Sequence, residues 1–380
     1  MVKKRAIIVR SNLLDRDIRV PKEIEALKRA GYRVTLLCWD RECQASPSPS
    51  PSPSPQQEDS FREIRVKVRA PWGVKVLPYL PIWGCFSFWH LLVNKWDIVH
   101  ALNFDTVIPA VIAGKLKRKP VIYEILETYE DRIVLPKIVR DFFINVDKIF
   151  MRLAKVVIVA DEAQSKGLGG IPNPRVTVIY DSAPDFFRKI NFTSRDNEKF
   201  VVFQASVLSK MRKLNLDKLF LAIKDIDNVK LILAGYGDQV AEIKRWSQEV
   251  PDKIEFIGRI EHSETLKRSK DVDLLFELRS SSVPQHKYIC GSKLLQAMMC
   301  GKPFLANRGT SAAIKVRKEN CGLVVDANNI EEIKEAIVKL RDNPELCKEL
   351  GINARKAYEL RYSWEIMEKR LISLYQELSR

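Results

Sequence analysis

The sequence predicts an α/β protein with two doubly wound domains that face each other across a cleft, followed by a helical C-terminus. Strand-like apolar runs alternate with helical stretches from the start of the chain, and the same alternation begins again after a polar, charged stretch near the middle. With 380 residues, 46% of them hydrophobic, the chain is long enough for two domains of ordinary size. Because βα repeats build parallel sheets, ligand sites are expected at the carboxyl ends of the strands.

The first domain is predicted to span residues 1–187. It opens with a strand over 5–10, a polar loop, a helix entered at Pro21 and a second strand over 33–38. The alternating Ser-Pro run within residues 43–60 cannot form a regular ladder and is predicted to be a surface insert. Later strands and helices are expected in alternation, with strands at 62–69, 97–101, 120–124 and 155–160 and helices at about 104–116, 136–152 and 161–168.

The second domain is predicted to span residues 188–362, with its polar first residues acting as a linker. Strands are expected in five apolar runs, at 200–205, 230–234, 254–257, 273–276 and 303–306. Residues 363–380 form an amphipathic helix, for which two placements stay open. It either crosses back to the first domain or only covers the second.

Bulk charge limits the partners without choosing among them. The formal charge is +16, with the excess towards the N-terminal half, which suits phosphorylated ligands, an anionic membrane surface or nucleic acid. Nucleic acid is disfavoured because no recognition motif or aromatic-basic interleaving is present. The seven cysteines show no metal or disulfide spacing, so reduced thiols in the cytoplasm are expected. The first eleven residues lack the extended apolar region of a secretory signal.

The uncharged segment 76–93 needs a membrane test because its length approaches that of a spanning helix. Pro78, Pro81, Gly84 and His90 interrupt it, and tryptophans lie within and around it. An interfacial or buried helix is therefore predicted, with a membrane span as the alternative. Together with the basic first domain, this segment indicates a peripheral contact with the inner membrane face.

A cationic loop follows the first strand of the second domain. Lys210, Arg212 and Lys213 lie there, directly before a helix, where an open α/β sheet binds anions. The alternative is a solvated charge cluster. Gly235 and Gly237 follow the next strand and would allow a ligand to approach the backbone closely, although they lack the third glycine of a dinucleotide motif.

The segment 291–306 predicts a short helix followed by a buried strand. Ser292 is predicted to cap the helix and Gly301 to stop it. Lys293 and Gln296 share one face of the helix, next to its free N–H groups, which suits a diphosphate with a polar sugar behind it. A core helix with an ordinary cap is the alternative.

The first domain offers fewer candidates. Asp15, Asp17 and Arg19 lie in the loop after the first strand, where they could hydrogen-bond a polar acceptor. His100 ends a strand and is predicted as a general base or hydroxyl-binding residue, with a satisfied core histidine as the alternative. Three Asp-x-Asp triplets are interpreted as structural, so no metal site is predicted.

Seven stretches together resemble the retaining nucleotide-sugar glycosyltransferases of family 4. The stretches lie at 17–23, 97–101, 121–127, 178–185, 203–206, 256–260 and 291–306. The resemblance extends over nearly the whole chain apart from the Ser-Pro insert. The resemblance implies the GT-B fold, with two Rossmann-like domains. The implied activity is transfer of a hexosyl unit from a nucleotide-diphosphate sugar to an acceptor hydroxyl with retention, without metal or other cofactor.

Residue roles follow from that resemblance. It implies that Lys210, Arg212 or Lys213 and the start of the helix at Ser292 stabilise the departing diphosphate. The matching stretches place Ser206 in the phosphate loop, Arg259 and Ile260 in the base-binding turn, and Glu127 on the side of a lipid-linked or saccharide acceptor.

The chain departs from the family at several positions. Gln296 and Tyr288 stand where members usually carry acidic residues, and Leu126 stands where many have an active-site histidine. These departures keep open a second hypothesis, a partner subunit that binds nucleotide sugar with little or no turnover. An epimerase of nucleotide sugars is a minor rival. The sugar, the nucleotide, the acceptor and the oligomeric state are not predicted.

Overall fold

The computed structural model describes residues 4–14, 17–43, 60–71, 73–126, 136–187 and 199–379. Most of the predicted Ser-Pro insert and of the linker, together with Asp15 and Glu127, lies outside these ranges. The chain divides into two compact units. Unit 1 comprises Met1–Ile179 and Glu368–Arg380, and unit 2 comprises Tyr180–Met367. The last helix therefore changes unit part of the way along its length.

A seven-stranded parallel sheet forms the centre of unit 1. Its order is β3-β2-β1-β4-β5-β6-β7. Successive strands are added towards one edge as far as β3 and towards the other edge from β4 onwards, so the strand order reverses between β1 and β4. The register pairs Ile8 with Leu36 on one side and with His100 on the other. The strands are β1 (Arg5–Arg10), β2 (Arg33–Asp40), β3 (Phe61–Lys67), β4 (Ile98–Leu102), β5 (Val121–Ile125), β6 (Val156–Val159) and β7 (Val176–Val178).

Helices join these strands in the right order for a doubly wound fold. The helices of unit 1 are α1 (Arg19–Arg29), α2 (Leu80–Val93), α3 (Phe104–Lys117), α4 (Lys137–Leu153) and α5 (Gln164–Gly167). A 3-10 segment, Gly73–Tyr79, leads into α2. Trp83 of α2 is fully buried and stacks on Trp39 of β2 with ring centroids 5.8 Å apart, so α2 contributes to the unit-1 core.

The stretch Lys75–Val93 is, by length and composition, apolar enough to cross a membrane. Its two faces differ. Trp83 and Leu91 are buried, whereas Ile82, Trp89 and Val93 are 49%, 62% and 53% exposed. The helix is therefore buried on one face and exposed on the other, which agrees with the predicted buried helix for the first face and leaves the interfacial role of the second as a prediction.

A six-stranded parallel sheet forms the centre of unit 2. Its order is β10-β9-β8-β11-β12-β13, which is the order 3-2-1-4-5-6 of dinucleotide-binding folds. The order reverses between β8 and β11, so the carboxyl ends of those two strands mark the expected ligand site. The strands are β8 (Phe200–Val207), β9 (Val229–Tyr236), β10 (Ile254–Phe256), β11 (Leu274–Glu277), β12 (Phe304–Asn307) and β13 (Gly322–Val325).

The remaining helices are α6 (Leu216–Lys224), α7 (Val240–Glu249), α8 (His262–Lys270), α9 (Pro284–Tyr288), α10 (Ser292–Cys300), α11 (Ser311–Glu319), α12 (Ile330–Arg341), α13 (Pro344–Ala357) and α14 (Trp364–Leu378). The chain continues from α13 through a π-helical turn, Tyr358–Tyr362, into α14. The predicted helical C-terminus is confirmed.

Helix α10 differs from the prediction at its first residue. Gly301 ends the helix in the left-handed region at φ 62°, as predicted, but the N-cap is Gly291 rather than Ser292. Ser292 is the first helical residue and no side chain caps the helix. The reason lies in packing, because a Cβ at position 291 would sit 2.6 Å from the Glu277 carboxylate.

Candidate functional site

The cationic loop lies where the sequence predicted it, directly after β8 in unit 2. Lys210, Arg212 and Lys213 are all exposed, and a 3-10 turn, Lys210–Arg212, presents them. The loop is fixed at both ends. The backbone N–H of Lys210 donates to Asp238 Oδ1 at 2.9 Å, and Lys213 Nζ donates to Ser282 Oγ at 3.2 Å.

Lys293 lies in the first turn of α10, whose first N–H groups have no partner within the helix. It is half-buried. Burial lowers the pKa of Lys293 to about 8; Glu277 opposes the shift, and Arg279 and Arg212 add to it by repulsion. Lys293 therefore shares an electrostatic environment with three charged groups from other elements. We call Arg212, Glu277, Arg279 and Lys293 the cationic cluster.

Two members of the cationic cluster, Glu277 and Arg279, were not predicted from the sequence. Glu277 is the last residue of β11 and is only 4% exposed. Its Oε1 lies 3.0 Å from Arg279 Nη2. One signal could have found the pair: an acidic residue at the end of an otherwise apolar strand, at the point where the strand order reverses.

Gly235 and Gly237 do not provide open space for a ligand. A Cβ at Gly235 would lie 1.9 Å from the Ser206 carbonyl oxygen, and one at Gly237 would lie 2.2 Å from the Leu208 carbonyl oxygen. Both residues have φ above 140°, which other residues rarely adopt. The close approach predicted for a ligand is thus made by the backbone of the cationic loop itself, and the glycines support that loop.

The other predicted donor-side residues occupy separate places in unit 2. Ser206 is half-buried near the end of β8, and its Oγ makes no hydrogen bond within the described residues. Arg259 is exposed, with its guanidinium 5.0 Å from the ring centroid of Tyr236, and Ile260 beside it is half-buried. Gln296 turns towards α8, where its Nε2 donates to Ser269 Oγ. Its carboxamide therefore supports a neighbouring helix.

His100 is buried in unit 1, where a substrate cannot reach its ring. Its side chain has 0% exposure. Nδ1 lies 3.0 Å from the hydroxyl of Tyr375 in α14, and Nε2 lies 3.0 Å from Glu124 Oε2. This placement corresponds to the alternative of a satisfied core histidine and removes the basis for a general-base role.

Asp17 and Arg19 also serve the fold of unit 1. Asp17 Oδ1 accepts from the backbone N–H groups of Arg19 and Val20 at 2.9 and 3.1 Å, which caps the start of α1. Its Oδ2 lies 2.8 Å from Arg10 Nε. Arg19 is 2% exposed and pairs with Glu23 and Glu124, so it is not presented to an acceptor. Asp15 and Glu127 lie outside the described residues.

Arg19, Glu23, His100 and Glu124 form a second group of buried charges, which we call the inner cluster. Burial alone would raise the pKa of Glu124, but Arg19 and His100 outweigh it and lower that pKa to about 2. Burial and the nearby Glu124 raise the pKa of Glu23 well above its usual range. The two carboxyl groups of the inner cluster are therefore shifted in opposite directions, the pKa of Glu124 downwards and that of Glu23 upwards.

The inner cluster also contains a set of side chains of the types that bind metals. Ligand atoms of Glu23, His100 and Glu124 lie within 4.8 Å of one another. The guanidinium of Arg19 already pairs with both carboxyl groups. A positive charge from the chain itself thus occupies the position that a cation would take.

Two family models match the chain in succession. Residues 18–181 match the "Glycosyl transferase 4-like domain" and residues 185–357 match "Glycosyl transferases group 1". Among curated relatives, an uncharacterized glycosyltransferase of Methanocaldococcus jannaschii is 24% identical over 85% of this chain and 87% of its own length. A GDP-mannose-dependent phosphatidylinositol monomannoside mannosyltransferase of Corynebacterium glutamicum is 26% identical, but the match spans only 40% of each chain.

Solved structures share the fold across the whole chain. A sucrose-phosphate synthase from Thermosynechococcus elongatus superposes with a TM-score of 0.74 at 17% identity, covering 99% of both chains. The Anabaena protein HepE in complex with UDP gives a TM-score of 0.72 at 15% identity, covering 98% of this chain and 100% of the other. The fold is therefore GT-B, with two Rossmann-like units. Each half of the chain therefore matches a glycosyltransferase family model, over residues 18–181 and 185–357.

Proposed function

We propose that this glycosyltransferase moves a hexosyl group from a nucleotide-diphosphate sugar to an acceptor hydroxyl, with retention at the anomeric carbon. The observation that carries the proposal is the cationic cluster at the start of α10. Arg212, Arg279 and Lys293 come from three different elements and act on one another electrostatically. Such a site suits the diphosphate of a sugar donor, because helix N–H groups and side-chain cations both favour an anion there.

The chemistry requires stabilisation of the leaving group. As the bond between the anomeric carbon and the phosphate oxygen breaks, negative charge develops on the departing nucleoside diphosphate. The acceptor oxygen bonds to the anomeric carbon, and the proton of the acceptor hydroxyl passes to the departing phosphate. Lys210, Arg212, Lys213 and Lys293 can stabilise that charge, which is the work that a divalent metal does in other transferases. We therefore propose that no metal or other cofactor is needed.

The donor half of this proposal has support from two named relatives. The Corynebacterium enzyme is named as GDP-mannose-dependent, and HepE has been solved with UDP and with UDP-glucose. Neither name determines the nucleotide that this chain would use. We propose Ser206 near the phosphates and Arg259 and Ile260 near the base, because they lie at or just beyond the ends of β8 and β10 in the same sheet.

A saccharide or lipid-linked acceptor is proposed from relatives and from the surface of unit 1. One relative acts on a phosphatidylinositol mannoside, and another, from Rhizobium meliloti, is named for lipopolysaccharide core biosynthesis. Ile82, Trp89 and Val93 expose an apolar face on α2, and the chain carries a formal charge of +16. Both features favour peripheral binding to an anionic membrane from the cytoplasm.

The decisive experiment combines a panel of nucleotide sugars with a lipid and saccharide extract as acceptor, in excess chelator and again with added Mg²⁺. Transfer in chelator, with the anomeric configuration retained in the product by NMR, supports the proposal. Activity that appears only with Mg²⁺ would sink the metal-free part. An inverted product would sink retention, and epimerised sugar without acceptor would identify an epimerase.

Membrane contact has its own test, sedimentation with vesicles of anionic or of zwitterionic lipid. We expect binding to anionic vesicles only, weakened in Trp89→Ser. The control is Tyr236→Ser in unit 2, because Tyr236 is 51% exposed and therefore also an aromatic residue on the surface. Equal binding of wild type and Trp89→Ser would remove α2 from the proposal.

The second candidate is a partner subunit that binds nucleotide sugar with little or no turnover. The observation that favours it is Gln296, which is directed at Ser269 of α8 and carries no charge. Binding of a nucleotide sugar without transfer to any acceptor would support this candidate. A gain of transfer in Gln296→Glu would show that the glutamine is what limits turnover.

A further inference from the structure

Glu277 is a buried carboxylate in a site that otherwise collects positive charge. It is 4% exposed at the end of β11, and Arg279 Nη2 lies 3.0 Å from its Oε1. A methyl group at Gly291 would lie 2.6 Å from Oε2 and 2.7 Å from Oε1. The carboxylate therefore packs directly against the N-cap of α10.

The hydrogen bonding of this pair is incomplete. Within the described residues, Arg279 Nε is buried and makes no hydrogen bond, and Glu277 Oε1 has the ion pair with Arg279 Nη2 but no further hydrogen bond. Unsatisfied buried polar atoms are costly, by about 1–3 kcal/mol each, so their presence in a native site points to a use. An N–H group of Arg279 that is not engaged by the protein can donate to a phosphate oxygen.

The charges of the cluster explain why a carboxylate is retained beside an anion site. Arg212, Arg279 and Lys293 repel one another, and the repulsion from both arginines lowers the pKa of Lys293. Glu277 is the carboxylate that opposes this shift. Without it, Lys293 would lose its proton more easily and Arg279 would lose the partner that holds its guanidinium.

His286 belongs to the same surroundings but does not add a cation near neutral pH. It is 5% exposed, and its Nδ1 lies 2.8 Å from the Ser280 carbonyl oxygen. Burial lowers its pKa, and Arg279 and Arg212 lower it further, against Ser280 and Glu277. Two groups near the start of α10 thus have lowered pKa values, Lys293 and, at lower pH, His286.

We propose that Glu277 is a positioning residue of the sugar-donor site, whose carboxylate holds Arg279 and Lys293 so that both can contact a nucleoside diphosphate at the start of α10. Arg279 is then a diphosphate-binding residue that supplements the exposed loop cations. The inference rests on the proposed function, since it assigns roles within the same donor site.

The test is calorimetric binding of UDP and of GDP to the full chain, at pH values on both sides of about 8, the value to which burial lowers the pKa of Lys293. Affinity in the wild type should fall as the pH rises through that value, because Lys293 loses its charge. Glu277→Gln should weaken binding about tenfold or more and move this fall to lower pH. Glu277→Asp, which restores the charge, should return the fall towards the position seen in the wild type.

The matched control is Glu319→Gln in the same unit. Its carboxylate is also buried and pairs with Arg361, away from the cationic cluster. We expect it to lower thermal stability without moving the affinity or its pH dependence. Should Glu277→Gln fail to fold, Arg279→Gln carries the test, with the same expected loss of affinity.

The outcomes separate the two proposals. If the wild type binds neither nucleoside diphosphate nor any nucleotide sugar, the proposed function fails and this inference fails with it. If the wild type binds but folded Glu277→Gln, or Arg279→Gln in its place, keeps the affinity and pH dependence of the wild type, only the inference is overturned. A loss of affinity in Glu319→Gln equal to that in Glu277→Gln would also overturn it, since any buried carboxylate would then have the same effect.

Discussion

The inner cluster of unit 1 and the cationic cluster of unit 2 are built from the same kinds of side chain at equivalent places. Both lie where the order of a parallel sheet reverses, near β1 and β4 in one case and β8 and β11 in the other. In the inner cluster, Arg19 faces Glu23 and Glu124, and all three are at most 2% exposed. In the cationic cluster, Lys293 is acted on by two arginines and by a single carboxylate, Glu277.

The two clusters differ in how much positive charge they leave for an anion at the place where the strand order reverses. In the inner cluster, the ionised carboxylate and the cation neutralise each other, and Tyr375 from the last helix covers His100. In the cationic cluster, positive charge remains after Glu277 is counted, and Arg212 is exposed. The first arrangement belongs to the buried core of unit 1, and the second is the one that we propose binds a ligand.

The largest effect is expected where the inner cluster loses its cation. Arg19→Met removes the buried guanidinium that pairs with both Glu23 and Glu124, which should cost about 3–5 kcal/mol in free energy of unfolding. Urea denaturation measures it. Arg29→Met is the control, because that side chain is 58% exposed and its pair with Glu368 contributes about 0–1 kcal/mol. Equal, small effects of the two variants would mean that the inner cluster is not a closed charge network.

The cationic cluster should respond in binding rather than in stability. Lys293→Met removes a charge from the proposed diphosphate site, and sugar-donor affinity should fall by about 1.5–3 kcal/mol. Lys293→Arg keeps its charge over the whole working range, so affinity should no longer fall as the pH rises through about 8. Calorimetry with the nucleotide sugar that binds best measures both. If the affinity of Lys293→Arg still falls as the pH rises, the fall is caused by the titration of a group other than Lys293.

The fold was largely predictable from the sequence, because βα alternation and apolar runs are local signals. Both parallel sheets and the stop of α10 at Gly301 follow from such signals. The cap of α10 was not predictable, since Ser292 is the better capping residue by local preference. What decides the position is Glu277, on another strand, packed against Gly291.

The roles of the site residues were less predictable, because they depend on contacts distant in sequence. His100 has the position of a catalytic base in the sequence, yet its Nδ1 partner, Tyr375, lies 275 residues further along. Gly235 resembles a ligand-approach glycine, but the atom it approaches is the carbonyl oxygen of Ser206. Lys293 was identified because its relation to the helix start is local.

The contact between Glu277 and the N-cap makes a steric prediction that sharpens the comparison. Gly291→Ala places a methyl group 2.6 Å from Glu277 Oε2, and such overpacking should cost about 1–3 kcal/mol of stability and displace the carboxylate. The melting temperature, measured by thermal unfolding, and the affinity for the sugar donor should both decrease. Gly301→Ala tests a different strain, because that residue has φ 62°. Adding Glu277→Ala to Gly291→Ala should recover stability but not binding, and failure to recover stability would contradict the proposed contact.

The smallest predicted effect concerns the hydroxyl that completes the inner cluster. Tyr375→Phe removes the oxygen 3.0 Å from His100 Nδ1 without changing the shape of the ring, so about 1 kcal/mol of stability should be lost. Tyr236→Phe, at a 51% exposed ring, should change little. Hydrogen exchange locates the effect: protection should fall in α14 after Glu368 and around His100, while the cationic cluster keeps its protection and its affinity for the sugar donor. A loss of that affinity in Tyr375→Phe would show that the two clusters are coupled, and the division between a structural cluster and a binding cluster would then have to be abandoned.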